Sequence, residues 1–201
     1  MPSGRTHDRI TLWGFPWVVA IAYLLSRDGE LTLIFGLAYL FSGLMFGPDL
    51  DIHSVQFKRW GILRWLWLPY QKTLSHRSSL SHGFVVGTTL RVIYFGLVVL
   101  AVAVVGVAIA QGFFGFTWNW QAFLMGSGQQ IRQHYGREIL VLFAGLEIGA
   151  MSHYVSDWLG STVKRLKKKG LASIFEQKKS KRKPTRRRPA TPKITSKRSK
   201  K

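Results

Sequence analysis

The chain has nine acidic residues against 29 lysines and arginines, so the places where acids gather are informative. Asp49 and Asp51 stand two apart in "MFGPDLDIHS", residues 45–54, straight after the helix-stopping pair Gly47-Pro48 and beside His53. His153 and Asp157 in "SHYVSDW" are four apart. On a helix that spacing places both on one face, where they can chelate one ion. His76 and His82 bracket Arg77 in "SHRSSLSHG", and His7 and Asp8 adjoin near the N-terminus. The chain has no cysteine, so a metal site must draw on His, Asp and Glu. Imidazoles mixed with carboxylates favour a transition metal, zinc foremost, as one or two ions, with manganese and iron also compatible. Magnesium or calcium sites built of oxygen alone would not need the histidines. Such an ion makes water nucleophilic near neutral pH, and Arg77 would stabilise negative charge developing on a phosphate. Asp8 and His53 are candidate bases.

Each cluster alone has a structural reading. Asp49 and Asp51 suit a turn in which Asp side chains bind backbone N–H groups. A His-x-x-x-Asp pair is commonly a helix-surface ion pair, although His153 and Asp157 lie on a mostly apolar segment, where polar groups face a partner or a cavity. His7 and Asp8 suit a helix N-terminus, His82 suits helix-end packing, and Arg77 would also pair with Asp49 or Asp51.

Four apolar segments must position these residues: Ile10–Leu25 with Pro16 inside, Leu31–Gly47, Val92–Ala110, and Ile139–Met151 continuing to Gly160. The third helix is expected to begin near Gly83, with Ser81 as its N-cap. A membrane crossing takes about 20 apolar residues. The predicted fold is all-α, a four-helix transmembrane bundle, the competing reading being a soluble helical bundle. With four crossings the N-terminus, the 48–83 loop and the C-terminus share one side. That side carries Arg5, Arg9, Lys58, Arg59, Arg64, Lys72 and Arg77, whereas the opposite loops carry Arg27, Arg132 and Arg137. The asymmetry predicts both termini cytoplasmic, and the expected host is a bacterial inner or thylakoid-type membrane. His7, Asp49, Asp51, His76, His82, His153 and Asp157 then fall at cytoplasmic helix ends and form a metal-site cup.

"RWGILRWLWLPY", 59–70, suits a segment lying in the interface or, about equally, one packed on the bundle. "FTWNW", 116–120, suits an aromatic belt on the far side. Residues 1–160 are read as the helical metal-binding domain and 161–201 as a cytoplasmic tail. The tail holds 18 of the 29 lysines and arginines and one acid, Glu176. Beyond Gly170, dense like charge and three prolines predict disorder. The expected partners are membrane lipid and, for the tail, anionic headgroups ahead of nucleic acid, with no defined protein partner.

The segments "PSGRTHDRIT", "GLMFGPDLDIHS", "KRWG…RWLWLPY", "HRSSLSHG" and "SHYVSDW" together resemble a family of predicted metal-binding membrane proteins common in cyanobacteria. That family looks related to the LexA-regulated, membrane-bound metal-dependent hydrolases. The resemblance covers about residues 1–160. It implies metal binding through His7, Asp49, Asp51, His76, His82, His153 and Asp157, with Arg77 in the His-Arg-x-x-x-Ser-His element. The function expected is a metal-dependent hydrolase acting on a phosphate ester at the membrane surface. Its rivals are a non-catalytic, metal-stabilised membrane scaffold and, more weakly, a pump using Arg91, Glu147, His153 and Asp157.

Overall fold

The structure, a computed structural model, describes residues 4–74, 78 and 83–169. Among the described residues seven α-helices occur in order: α1 (Gly4–Ser26), α2 (Gly29–Leu44), α3 (Val55–Arg59), α4 (Leu68–Thr73), α5 (Val86–Phe114), α6 (Trp120–His134) and α7 (Gly136–Lys169). Two 3-10 turns, Pro48–Asp51 and Gly61–Trp67, complete the order, and no strand occurs among the described residues. Four helical stretches among the described residues, Thr6–Ser26, Gly29–Asp51, Val86–Phe114 and Gly136–Gly160, are long and apolar enough to cross a membrane.

The α1–α2 hairpin turns at Arg27, whose φ is +52°. Asp28 caps α2, its side chain accepting hydrogen bonds from the N–H groups of Glu30 (2.9 Å) and Leu31 (3.2 Å). The tightest packing is between α2 and α7, made possible by small residues on both. Gly36, Ala38, Ser42 and Gly43 are buried on α2. On α7, a Cβ added at Gly145 would lie 2.5 Å from the Phe35 carbonyl oxygen, and one at Gly149 would overlap that of Tyr39. Helix α1 packs on both through Thr11, which is 1% exposed. Its hydroxyl is 3.0 Å from that of Ser152, its carbonyl accepts from the Tyr39 hydroxyl at 3.1 Å, and its methyl fills the space over Gly43.

The C-terminus of α2 is finished by side chains from downstream. The last carbonyls of a helix have no partner within it. Here Gln56 donates to the Gly43 carbonyl (2.9 Å), Arg59 to that of Leu44 (2.8 Å) and Trp60 Nε1 to that of Met45 (2.9 Å). The spacing of 56, 59 and 60 puts all three on one side of α3 and the turn after it. Gln71 Nε2 then holds the carbonyls of Leu50 (2.9 Å) and Ile52 (3.1 Å), fixing the Asp49–Asp51 turn from behind.

The 59–70 segment is packed against the helices at some residues and exposed at others. Trp67 is fully buried, with the rings of Phe46, Trp60, Tyr70, Tyr94 and Phe95 5.1–6.1 Å away. Ile62 and Trp65 remain exposed. The aromatic cluster joins this segment to α5.

Helix α5 differs from the expected bundle member. It buries only Gly87, Thr88 and Arg91, near its N-terminus, and most of its length faces outward. The compact unit is therefore α1, α2 and α7 with the 45–74 segment, α5 joining at its base. Helix α5 also starts later than predicted. Its N-cap is Val85, at φ +61° and ψ −48°, while Ser81 lies outside the described residues. Val86 N–H donates to the Phe84 carbonyl at 2.6 Å, so Val85 centres a γ-turn with positive φ, a strained form. The Glu147 carboxylate holds it by accepting from Val85 N–H at 3.1 Å. A second difference is α6, which sequence reading leaves as loop. None of its residues is buried, and it is capped by the Asn119 side chain accepting from Ala122 N–H (3.0 Å). Helix α7 runs nine residues past Gly160, into the stretch assigned to the tail. The tail from Gly170 lies outside the described residues.

Candidate metal centre

His7 and Thr11 lie one turn apart on α1, so the Thr11–Ser152 contact that seats α1 on α7 also presents His7 to His153. The two imidazoles stack, centroids 3.8 Å apart and planes 13° from parallel. His7 Nε2 is 3.5 Å from Asp157 Oδ1, and His153 Nε2 is 3.1 Å from Asp49 Oδ2. His7, His153 and Asp157 each offer a ligand atom, all lying within 4.8 Å of one another. His7 and His153 are 6% and 4% exposed.

The spacing fits a shared ion. Two donors each about 2.1 Å from a tetrahedral zinc lie about 3.4 Å apart, close to both His–Asp separations. The hydrogen bonding fits as well. Neither ring nitrogen of His153 has a hydrogen-bond partner among the described residues, despite the nearby carboxylate, because the pair is close but not aligned. Buried polar atoms are normally paired, and an ion between the two groups would satisfy both. A cavity of about 20 Å³ adjoins, lined by His7, Asp8, Asp49, Ser54, Val55, Gln56 and His153. That is room for one water-sized occupant.

The neighbouring residues divide. Asp8 lines the cavity and is held by Arg59 through two hydrogen bonds, one of 2.9 Å to Oδ1. His53 lies apart, exposed and edge-on to Phe57 at 4.8 Å. Asp51 is buried and close enough to Tyr70 to act on its hydroxyl. His76, Arg77 and His82 lie outside the described residues.

A second polar group, Arg91 and Glu147, was weighed from sequence only as part of a pump. Arg91 is wholly buried on α5, donates to the Thr88 hydroxyl at 2.9 Å and sits beside Tyr70 and Tyr154. Burial pushes the Tyr70 hydroxyl above its ordinary range, and Arg91 opposes that shift. Glu147, 6% exposed, anchors the start of α5 from α7. A charge inside an apolar segment was the available sequence signal for both.

Fold and site together define a helical protein with four helices of membrane-crossing length and apolarity and a possible His/Asp metal site. The chain belongs to the family described as uncharacterized metal-binding protein (DUF2227), which matches residues 2–167. It is also similar to an uncharacterized protein of Aquifex aeolicus (strain VF5), 36% identical over 61 residues, or 30% of this chain and 43% of that protein. The chain thus spans less than half the length of that relative. No solved structure matches the chain.

Proposed function

We propose that this chain is a membrane-embedded, metal-dependent hydrolase acting on a phosphate ester at the cytoplasmic membrane surface. The observation that carries the reading is the meeting of His7, His153 and Asp157 from two distant helices, with Asp49 3.1 Å from His153. These four residues would hold one divalent ion, and zinc, manganese and iron all suit two imidazoles with two carboxylates. A bound ion supplies activated water and polarises a phosphoryl oxygen. Asp8, held by Arg59 at the cavity wall, would take a proton from a reactant entering there. His76, His82 and Asp51 are proposed as further ligands, for the same ion or a second one, and Arg77 as the cation facing the phosphate. Both termini are assigned to the cytoplasm. The basic tail, residues 161–201, is assigned to anionic headgroups, each Lys or Arg near such a surface contributing about 1 kcal/mol.

A specific observation favours a second reading. The cavity, about 20 Å³, is too small for a phosphate ester together with an ion. The ligands come from α1, α7 and the turn after α2, so the ion would tie helix ends together without turnover. Detergent-purified protein loaded with zinc or manganese separates the two. The hydrolase reading expects cleavage of soluble phosphomonoesters, phosphodiesters or short-chain phospholipids, falling about 100-fold or more in His153→Ala. Stoichiometric metal without cleavage of any of these esters would leave the scaffold.

A further inference from the structure

We infer that Gln56 is a ligand of the same ion through its amide oxygen, and that it tunes the site toward oxygen-preferring metals such as manganese. This rests on the metal reading above and extends it to a residue outside the set of histidines and carboxylates. Gln56 is 5% exposed. Its orientation is fixed by chemistry, since the Gly43 carbonyl can only accept, so the amide end 2.9 Å from it is Nε2. Oε1 is the other polar atom of the same amide. It is buried without a hydrogen-bond partner among the described residues. Gln56 also lines the small cavity shared by His7, Asp49 and His153. A buried amide oxygen with no partner is costly, and a cation in that cavity would remove the cost.

Gly47 supports the assignment. A Cβ there would lie 2.5 Å from Gln56 Nε2 and 2.7 Å from Oε1, so the chain leaves room for this amide at the start of the Asp turn. A neutral carbonyl-type oxygen added to two imidazoles and two carboxylates raises the ligand count beyond the four of a tetrahedral zinc site. Carbonyl and carboxylate oxygens suit manganese, whereas imidazole suits zinc. Gln56 should therefore matter more for manganese than for zinc.

The test uses the full chain in detergent, titrated separately with Mn²⁺ and Zn²⁺, in wild type, Gln56→Glu and Gln56→Met. Glutamate keeps the oxygen and loses the Nε2 donor, while methionine loses both. A ligand role predicts that Gln56→Met weakens Mn²⁺ binding about 10-fold or more, with a smaller effect on Zn²⁺. It also predicts that Gln56→Glu binds Mn²⁺ more tightly than wild type. A merely structural tether to Gly43 would impair both variants alike, and that result would overturn the inference. So would unchanged Mn²⁺ affinity in Gln56→Met. Wild type that binds neither ion overturns the metal reading itself, a failure visible before either variant is made.

Discussion

Replacing His153 with alanine should empty the metal centre. Detergent-purified wild type, prepared without chelator, should carry close to one divalent ion per chain, and His153→Ala should carry background metal. The expectation follows from where the ring sits. His153 lies against His7 on one side and Asp49 on the other, so it links the α1 ligand to the turn after α2. Without it, His7 and Asp157 remain as one pair, and Asp49 loses its partner across the site. Changing residues that only support a ligand costs 10–100-fold in affinity, so loss of a ligand shared by both halves should cost about 100-fold or more. Elemental analysis by mass spectrometry reads the result, and circular dichroism checks that the helices persist. Metal retained at the wild-type ratio in folded His153→Ala would remove this residue from the site.

The second large effect concerns a residue that touches no ligand. Gly149→Ala should destabilise the protein and weaken metal binding together. The new methyl would overlap the Tyr39 carbonyl oxygen and lie 2.8 Å from Ser42 Cβ and 3.0 Å from the Gly43 nitrogen. Two of these are backbone atoms of α2 and cannot rotate away, so the helices must part. Overpacking costs about 1–3 kcal/mol, and contact with backbone puts this case at the upper end. Gly149 is one turn before His153 and two turns before Asp157 on the same face of α7, so the displacement carries both ligands away from His7. The control is Gly106→Ala on α5, where an added Cβ meets nothing within 4 Å. Alanine is the better helix former by about 1 kcal/mol in water, so Gly106→Ala should be neutral or stabilising. Thermal unfolding in detergent, with and without metal, compares them. Equal stability of the two variants would show that the α2–α7 contact is looser than described.

The sequence made some of this arrangement legible through periodicity and charge. Each of the four apolar segments lies in a helix of crossing length. Gly47-Pro48 comes shortly after the end of α2 and opens the turn that carries Asp49. The four-residue spacing of His153 and Asp157 does place both near a single partner, His7.

Other features left weaker traces. Composition shows that α5 is apolar but not which helices it touches, and it buries only its first turns. Helix α6 is glutamine-rich and has no buried residue, so composition marks no apolar segment there, although its apolar residues at 120, 123, 124 and 131 keep a helical spacing. The capping of α2 by Gln56, Arg59 and Trp60 depends on a chain reversal that no local motif announces. The pair Gly145 and Gly149 was readable as a small-x-x-x-small contact. Val85 was not readable, because a β-branched residue at positive φ runs against local preference and is held by Glu147, 62 residues away.

In this reading residues far apart in the chain share one ion. X-ray absorption at the edge of the bound metal tests it most directly, because scattering from imidazole is distinct from that of carboxylate oxygen. At least two imidazoles are expected around the ion in wild type and one fewer in His7→Ala. A shell without imidazole, or one unchanged by His7→Ala, would contradict it.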